Sequence, residues 1–213
     1  MKAIDTIIFD YDGTLADTAP LIVYVTKETL KRFGIFNVSE DLVRSNIGLP
    51  LIDCLRIDGN LNSSQAEEAM VLYRNIFAGS LDSTVYFPGV PETLAFLHSK
   101  GIRMGIATSR STGSLYAMLD SKDLRHYFTA IVTVDDGLAA KPAPDMALEV
   151  LKRLGSDATS ALMVGDTSFD LKMGRCAGCF TCGVTYGNHP RARLLEAQAD
   201  YLIDSFNELE LIV

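Results

Sequence analysis

Residues 4–18 of the chain read IDTIIFDYDGTLADT. The apolar run at 4–9 predicts a strand buried on both faces, because strands of a parallel sheet are covered by helices on each side. Asp10 and Asp12 follow this strand at once. Ligands bind at the carboxyl ends of the strands in open α/β sheets, so two carboxylates at this point indicate a site. Asp-Gly is also a common turn dipeptide, and the stretch alone leaves a plain turn open as well.

Composition and charge narrow the class of protein. The 213 residues are 48% hydrophobic and 22% charged, which is typical of an ordinary globular protein with a core of its own. A net charge of −8 offers no overall basic field for a nucleic acid or an anionic membrane. Acidic residues interrupt the apolar N-terminal run, and no stretch reaches the ~18 apolar residues of a membrane span. We therefore expect a cytoplasmic protein without nucleic-acid or membrane partners.

The cysteines leave two interpretations open. Cys176, Cys179 and Cys182 form a C-x-x-C-x-x-C run, and Cys54 lies far away in the sequence. Such spacing can bind zinc or an iron–sulfur cluster, but a closed site usually has four ligands. Free cysteine packs well at small, half-buried positions. We favour packing roles for these residues.

Residues 17–85 show only helical patterns. Ser39 is the candidate N-cap of the middle helices, and Ser63 or Ser64 is the candidate N-cap of the last helix. The predicted helices span 20–33, 39–57 (as one or two helices) and 63–79.

From Pro88 onward, strands alternate with helices, which is the pattern of a parallel sheet with right-handed crossovers. Further strands are predicted at 102–107, 130–134, 161–164, 180–184 and 201–203. We therefore predict a doubly wound, Rossmann-like α/β fold. Residues 1–16 and 86–213 would form its core, and residues 17–85 would form a small all-helical cap inserted after the first strand.

Polar residues follow several of the predicted strands. Thr108 ends one strand, Asp166 ends another with Asp170 close behind, and Lys141 lies in a nearby loop. Each has an ordinary explanation by itself, since a lone lysine is usually solvated and aspartate suits a helix N-terminus. A parallel sheet that repeatedly sends hydroxyl and carboxylate groups to one edge nevertheless predicts a site there.

Four motifs together resemble those of the haloacid dehalogenase-like hydrolase superfamily: D-x-D-G-T from Asp10, a strand-end threonine at Thr108, K-P-x-P-D from Lys141 and G-D-x-x-x-D from Gly165. The likeness is closest to the phosphoglycolate phosphatase-like branch and covers essentially the whole chain. It implies a HAD-like core and Mg²⁺-dependent hydrolysis of a small phosphomonoester through an aspartyl-phosphate intermediate. The motifs are specific for the superfamily and much less specific for a substrate.

The resemblance implies a catalytic role for four residues. Asp10 would be the nucleophile that attacks phosphorus. Asp12 would protonate the leaving alcohol and then activate water. Thr108 and Lys141 would hold the phosphoryl oxygens and reduce the repulsion between phosphate and carboxylate.

The resemblance also implies a metal site. Its Mg²⁺ ligands would be Asp10, the backbone carbonyl of Asp12, Asp166 and Asp170, the last of them directly or through water. Magnesium suits this set because it prefers oxygen ligands and can bind carboxylates and a phosphate oxygen together.

Further expectations concern substrate binding. The Thr14 hydroxyl would help to hold the second carboxylate of the first motif, and the amides of Ser109 and Arg110 would bind phosphoryl oxygens. Arg44, in the cap, is a candidate for specificity, although a solvated helix charge explains it equally well. His189 is expected in a surface loop.

Several other functions compete with the phosphatase. A phosphonate hydrolase that uses a cap lysine is disfavoured because no lysine occurs between Lys31 and Lys100, and a dehalogenase would not need Asp12. A sugar phosphomutase or a pyrophosphatase on the same scaffold remains open. Outside enzymes, the alternatives are a phosphoacceptor signalling domain and a silent binding protein. The expected partner is a small phosphorylated metabolite, and the protein is expected to be a monomer or a homodimer.

Overall fold

The computed structural model of the protein describes residues 4–79 and 85–213, so predictions for residues 1–3 and 80–84 lie outside the described residues. The described strands are β1 (Thr6–Phe9), β2 (Ala16–Asp17), β3 (Val85–Tyr86), β4 (Arg103–Ala107), β5 (Ala130–Val132), β6 (Ala161–Gly165), β7 (Phe180–Val184) and β8 (Tyr201–Ile203). Six of them form one sheet in the order β5-β4-β1-β6-β7-β8, and every pairing in it is parallel. The predicted α/β class and parallel sheet are confirmed.

Helices cover both faces of this sheet. The described helices are α1 (Ala19–Lys31), α2 (Glu40–Asn46), α3 (Leu51–Gly59), α4 (Ser63–Ala78), α5 (Val90–Ser99), α6 (Thr112–Asp120), α7 (Asp145–Leu154), α8 (Ser168–Cys176) and α9 (Arg191–Glu196). In β1, Ile7 and Phe9 belong to one apolar cluster and Ile8 to another. Because successive side chains of a strand point to opposite faces, this split places β1 between two layers of core. Among the described residues, no helix is both long and apolar enough to cross a lipid bilayer.

The register of β1 places the polar strand ends side by side. Phe9 is aligned with Ile106 of β4 and with Val164 of β6. Asp10 is therefore level with the last residues of both neighbouring strands, and Thr108 and Asp166 follow one residue later. This arrangement gathers residues from three distant segments of the chain at one edge of the sheet.

Helices α1 to α4 share an apolar cluster of their own, which includes Val25, Leu30, Leu55 and Phe77. The middle helical stretch is two helices, α2 and α3, and Ser39 caps α2 as predicted by accepting a hydrogen bond from Leu42 N.

Two local predictions were wrong. Asn62, rather than Ser63 or Ser64, caps α4, because its side chain and that of Gln65 form a reciprocal capping box. Strand β5 ends at Val132 instead of Val134, because the Thr133 side chain caps a short 3₁₀ turn that begins at the next residue.

The chain between β1 and α1 also carries a short strand that the helical pattern did not predict. Residues Ala16–Asp17 pair antiparallel with Val85–Tyr86. A strand of two residues is too short to produce a detectable alternation of apolar and polar side chains.

Candidate active site

Lys141 forms hydrogen bonds with an aspartate of the D-x-D-G-T motif and with an aspartate of the G-D-x-x-x-D motif. Its Nζ donates hydrogen bonds to Asp10 Oδ1 at 2.6 Å and to Asp170 Oδ1 at 2.7 Å. The three side chains are almost completely buried, with exposed fractions of 0–2%. Charged groups are tolerated in a protein interior only where they are paired and hydrogen-bonded, so these three side chains fix one another.

Three carboxylates converge beside this lysine. Asp10, Asp166 and Asp170 each offer one oxygen, and these atoms all lie within 4.8 Å of one another. Asp10 Oδ2 is buried and has no hydrogen-bond partner. Three carboxylates face one ammonium group, so a divalent cation would balance the charge. Oxygen ligands of this kind fit Mg²⁺.

Asp166 is held by backbone and side-chain donors from two loops. Asn188 donates to Asp166 Oδ2 through its backbone N at 2.7 Å and through Nδ2 at 2.8 Å. Both loops approach closely because they carry glycine: a Cβ at Gly13 or at Gly187 would lie 2.2 Å from an atom of Asp166. Gly13 also has a φ of +87°, which L side chains rarely adopt. Residue 13 must therefore be glycine for two reasons, the lack of space beside Asp166 and the positive φ.

Burial governs the titration of the cluster. Desolvation raises the pKa of Asp10 well above its usual range, against the attraction of Lys141. Desolvation, followed by repulsion from Asp170, raises the pKa of Asp166 to about 7. For Lys141, burial acts to lower the pKa, but the attraction of Asp10 and Asp170 outweighs it and the pKa is raised. The carboxylates of the cluster thus carry more negative charge than the single ammonium group of Lys141 can balance.

Asp12 has partners other than the expected one. Arg110 Nε donates to Asp12 Oδ2 at 3.0 Å, Arg110 Nη2 donates to Oδ1, and Thr18 Oγ1 donates to Oδ1 at 2.6 Å. The expectation that Thr14 holds Asp12 was wrong. Thr14 Oγ1 instead donates to Asp166 Oδ1 at 3.1 Å, because the turn after β1 aims this hydroxyl toward β6.

Thr108 and Ser109 lie on the loop that leaves β4. Thr108 is buried, and its Oγ1 accepts a hydrogen bond from the backbone N of Arg110 at 3.2 Å. Ser109 Oγ donates to the carbonyl of Gly48 at 2.6 Å. The Arg110 amide is therefore already engaged within its own loop, and the Ser109 side chain contacts the helical unit, which is the segment from α1 to α4.

Arg44 is not brought to the site. Its Nε pairs with Glu40 Oε1 at 2.8 Å, four residues earlier on the solvent-facing side of α2. Arg44 does not line the cavity described below. The structure therefore gives no support to the specificity role and agrees with a helix surface charge that is paired with Glu40.

His189 is buried instead of lying on the surface, with an exposed fraction of 1%. Its Nδ1 accepts a hydrogen bond from Ser168 N at 2.9 Å, and Nε2 lies 3.1 Å from the carbonyl of Ser45. Desolvation lowers the pKa of the imidazole, against the hydrogen bond that the ring donates to the Ser45 carbonyl. A neutral ring with its proton on Nε2 satisfies both contacts. The histidine therefore joins the start of α8 to the end of α2.

A cavity of about 410 Å³ lies between the strand ends and the helical unit. Asp10, Asp12, Thr108 and Arg110 line one side. Apolar side chains of the helical unit line the other, among them Ile22, Val43, Ile47, Leu49, Met70 and Phe77. A small molecule in this space would contact the carboxylates at one end and an apolar wall at the other.

The cysteines are not part of the acidic cluster, although Cys54 lines the cavity. Within the described ranges, the group of potential metal ligands consists of Asp10, Asp166 and Asp170. Cys179 and Cys182 are buried in the two core clusters, whereas Cys176 is exposed. The packing interpretation fits the buried pair.

Comparison with known proteins assigns the family. Residues 7–184 match the family model described as haloacid dehalogenase-like hydrolase. The chain belongs to the haloacid dehalogenase-like hydrolase family. A probable phosphatase, IndB, of Dickeya dadantii is 34% identical over 95% of this chain and 90% of its own length. A phosphoglycolate phosphatase of Salmonella typhimurium is 29% identical over 98% of this chain and 92% of its own. Other relatives are named pyrophosphatase.

A solved structure agrees with this assignment. A haloacid dehalogenase-like hydrolase from Bacteroides fragilis superposes with a TM-score of 0.91 at 26% identity, covering 97% of this chain and 99% of that one. The resemblance to the phosphoglycolate phosphatase-like branch is thus confirmed. The chain is thus a member of a hydrolase family, and the relatives named above are phosphatases.

In this haloacid dehalogenase-like hydrolase, sequence reasoning missed two residues that support the site: Thr18, whose side chain holds Asp12, and Asn188, whose side chain holds Asp166. It named Arg110 for its backbone amide, whereas the Arg110 side chain holds Asp12. For Asn188, the sequence carried one local indication, the Gly-Asn-His run at 187–189, whose glycine comes shortly after a predicted strand. The side-chain contact between Arg110 and Asp12 spans 98 residues and has no signal in the sequence.

Proposed function

We propose that the protein hydrolyses a small phosphomonoester in a Mg²⁺-dependent reaction that passes through a phosphorylated Asp10. The observation that carries this proposal is the buried cluster in which Lys141 contacts both Asp10 and Asp170 while Asp166 completes an acidic trio. A carboxylate nucleophile beside an ammonium group and a cation site can approach a phosphate dianion despite its charge.

The reaction consists of two displacements at phosphorus. In the first, an Asp10 oxygen forms a bond to phosphorus, the bond to the leaving oxygen breaks, and Asp12 gives its proton to that oxygen. In the second, water attacks the same phosphorus, Asp12 takes the proton of the water, and the bond between Asp10 and phosphorus breaks. Inorganic phosphate leaves, and both aspartates return to their starting states.

Lys141 and Thr108 would both assist the nucleophile. The ammonium group of Lys141 already contacts Asp10 and would stabilise charge on the phosphoryl oxygens. The hydroxyl of Thr108 lines the cavity and can donate to one of these oxygens.

Magnesium would be held by Asp10, Asp166 and Asp170, together with the backbone carbonyl of Asp12. Asp170 Oδ2 accepts hydrogen bonds from Thr167 N and Oγ1, so Asp170 is oriented from behind. When bound, the ion supplies positive charge for the phosphoryl group and for the acidic trio.

The helical unit would act as a cap. We propose that residues 17–85 close over a core formed by residues 1–16 and 86–213, so that water is excluded while Asp10 is phosphorylated. Ser45 and Gly48 of the helical unit contact His189 and Ser109, which supports a closed arrangement over the cavity. A cavity of this size favours a small phosphorylated metabolite over a protein or a nucleic acid.

We also propose a cellular location and an oligomeric state for the enzyme. All four cysteines are free thiols, which suits the reducing cytoplasm. A monomer or a homodimer is the expected state. A sugar phosphomutase would need groups that hold a second phosphate on the substrate, and such transfer to a sugar acceptor is distinguishable from hydrolysis by product analysis.

Hydrolysis of p-nitrophenyl phosphate tests the mechanism. We expect the wild type to hydrolyse it with Mg²⁺ and to lose activity in a chelator, and we expect Asp10→Asn to remove activity while the circular dichroism spectrum stays unchanged. Asp123→Asn is the matched control, because the Asp123 side chain is 99% exposed and lies outside the site. Undiminished hydrolysis by Asp10→Asn, or in the chelator, would contradict the proposal.

A further inference from the structure

The cavity beside the carboxylates has an apolar wall to which all four helices of the helical unit contribute. Its members are apolar side chains that are buried or partly buried: Ile22 of α1, Val43 of α2, Leu51 and Ile52 of α3, and Met70 and Phe77 of α4. Tyr73 lines the same wall and stacks on Phe77, with ring centres 5.8 Å apart. Apolar space holds water poorly and gains from binding an apolar group.

The cavity is larger than a phosphoryl group. Its volume of about 410 Å³ corresponds to roughly 14 water molecules at about 30 Å³ each. A phosphoryl group beside Asp10 would fill only part of this space. The remainder adjoins the apolar wall, so the leaving alcohol of a phosphate ester would lie there.

The cations along this cavity offer little to an anionic leaving group. In the part of the chain that the structure describes, the cations that line it are Arg74 and Arg110. Arg110 Nε donates to Asp12 Oδ2 at 3.0 Å, and both side chains of this ion pair are largely buried. Arg74 is exposed, so solvent and salt screen its charge. A leaving group therefore meets a neutralised ion pair and an apolar wall.

Asp58 adds a negative charge to the wall. It lines the cavity and is 6% exposed. Its Oδ1 accepts a hydrogen bond from Asn46 Nδ2 at 2.7 Å, and its Oδ2 has no hydrogen-bond partner among the described residues. Burial raises the pKa of Asp58 to about 6, against the hydrogen bond from Asn46, so the carboxylate is still charged at pH 7.5. A buried carboxylate repels a second anion that lies close to it.

We propose that the protein hydrolyses phosphate esters whose leaving group is apolar and uncharged, such as an alkyl or aryl alcohol. The proposal rests on the function proposed above and specifies its substrate class. The apolar wall binds the leaving group, and Asp58 disfavours a leaving group that carries negative charge. 2-Phosphoglycolate and pyrophosphate have anionic leaving groups and fall outside this class.

A series of alkyl phosphates from ethyl to hexyl measures the contribution of the wall. The chemistry at phosphorus stays nearly constant in this series, whereas the apolar surface of the leaving group grows with each methylene. We expect kcat/KM of the wild type to rise about two- to fourfold for each added methylene, the range expected for burying this group. Hexyl phosphate should therefore exceed ethyl phosphate by more than about 15-fold.

Met70→Gln tests the wall itself. The side chain keeps its length, but the amide must lose water when an alkyl chain packs against it. We expect the ratio of kcat/KM for hexyl over ethyl phosphate to fall at least about threefold. This ratio, measured on one preparation, does not depend on the fraction of folded enzyme. Val71→Gln is the matched control, because Val71 is the next residue of α4, is 58% exposed and does not line the cavity. It should keep the wild-type ratio.

Asp58→Asn tests the exclusion of charge. The probes are hexyl phosphate and 6-phosphonooxyhexanoate, in which a carboxylate replaces the terminal methyl group. We expect the wild type to prefer hexyl phosphate by more than about tenfold in kcat/KM at pH 7.5, and Asp58→Asn to reduce this preference at least about threefold. Asp53→Asn is the matched control, since Asp53 lies on the same helix, has a side chain that is 45% exposed and does not line the cavity.

The outcomes separate this inference from the proposed function. Suppose that the wild type hydrolyses p-nitrophenyl phosphate with Mg²⁺ but shows a smaller hexyl-to-ethyl ratio, or prefers 2-phosphoglycolate or pyrophosphate to hexyl phosphate. The inference then fails and the proposed function stands. It fails equally if Met70→Gln and Val71→Gln have the same ratio, or if Asp58→Asn and Asp53→Asn have the same preference. If the wild type hydrolyses none of these compounds with Mg²⁺, the proposed function fails and this inference with it.

Discussion

At the scale of single residues, Lys141 provides the positive charge for two buried carboxylates. Lys141→Met should lower activity by about 10²- to 10³-fold, the usual effect of removing one group that stabilises the transition state. It should also lower the free energy of unfolding by about 3–5 kcal/mol, because it leaves Asp10 and Asp170 buried without their partner. Urea denaturation measures this change. Lys152→Met is the control, since Lys152 is 78% exposed, and a stable Lys141→Met protein would contradict the prediction.

His189 makes the stability of the protein depend on pH. Burial lowers the pKa of the folded imidazole, so below about pH 6.5 the unfolded chain binds a proton that the folded chain does not. This contribution to stability is therefore present at neutral pH and is lost on acidification, by up to about 1.4 kcal/mol per pH unit. Nearby charges that bear on the ring are Arg193, Asp170 and Lys172.

His189→Gln isolates this effect, because glutamine can accept from Ser168 and donate to Ser45 without titrating. We expect the wild type to be the more stable protein at pH 7.5, and its advantage to shrink as the pH falls to 5.5. Other groups titrate in both proteins and cancel in the difference. An advantage that grows on acidification would show that the buried ring is protonated.

At the scale of elements, α4 depends on the residue before it. Asn62 accepts a hydrogen bond from Gln65 N at 3.0 Å, and Gln65 Oε1 accepts one from Asn62 N at 3.1 Å. Asn62→Ala should therefore cost about 1 kcal/mol of stability. Ser63→Ala and Ser64→Ala change exposed residues inside the helix and should stay within about 0.5 kcal/mol. Equilibrium denaturation compares the three variants, and a larger loss from Ser63→Ala would contradict the cap assignment.

The elements also show where sequence reasoning succeeds. Apolar strands that end in Asp10, Thr108 and Asp166 could be predicted to meet, because the register of parallel strands brings their ends to one edge. The residue that caps α4 could not be predicted, since three adjacent residues, Asn62, Ser63 and Ser64, have similar capping preferences. The pairing of Arg110 with Asp12 could not be predicted either. It depends on side-chain directions in two loops, and the pattern of residues does not specify these directions.

At the scale of the whole molecule, the fold assembles the site and thereby places charged groups in the interior. Segments around residues 10, 141, 166 and 170 meet only when the sheet is complete, and they bring three carboxylates and one ammonium group into the interior. Like charges held together in a buried site oppose folding. An ion that binds the folded chain and not the unfolded one offsets this cost.

Magnesium should therefore stabilise the wild-type protein. At a free concentration about 100 times its Kd, a ligand adds about 2.7 kcal/mol, which for a chain of this length raises Tm by roughly 5–11 °C. We expect this rise on adding Mg²⁺ without substrate, and its reversal by a chelator. Asp170→Asn removes one ligand and should lose most of the rise. Glu149→Gln, a surface carboxylate on α7 that pairs with Lys152 and Arg153, should keep it. An equal rise in both variants would mean that the ion acts elsewhere than at the acidic trio.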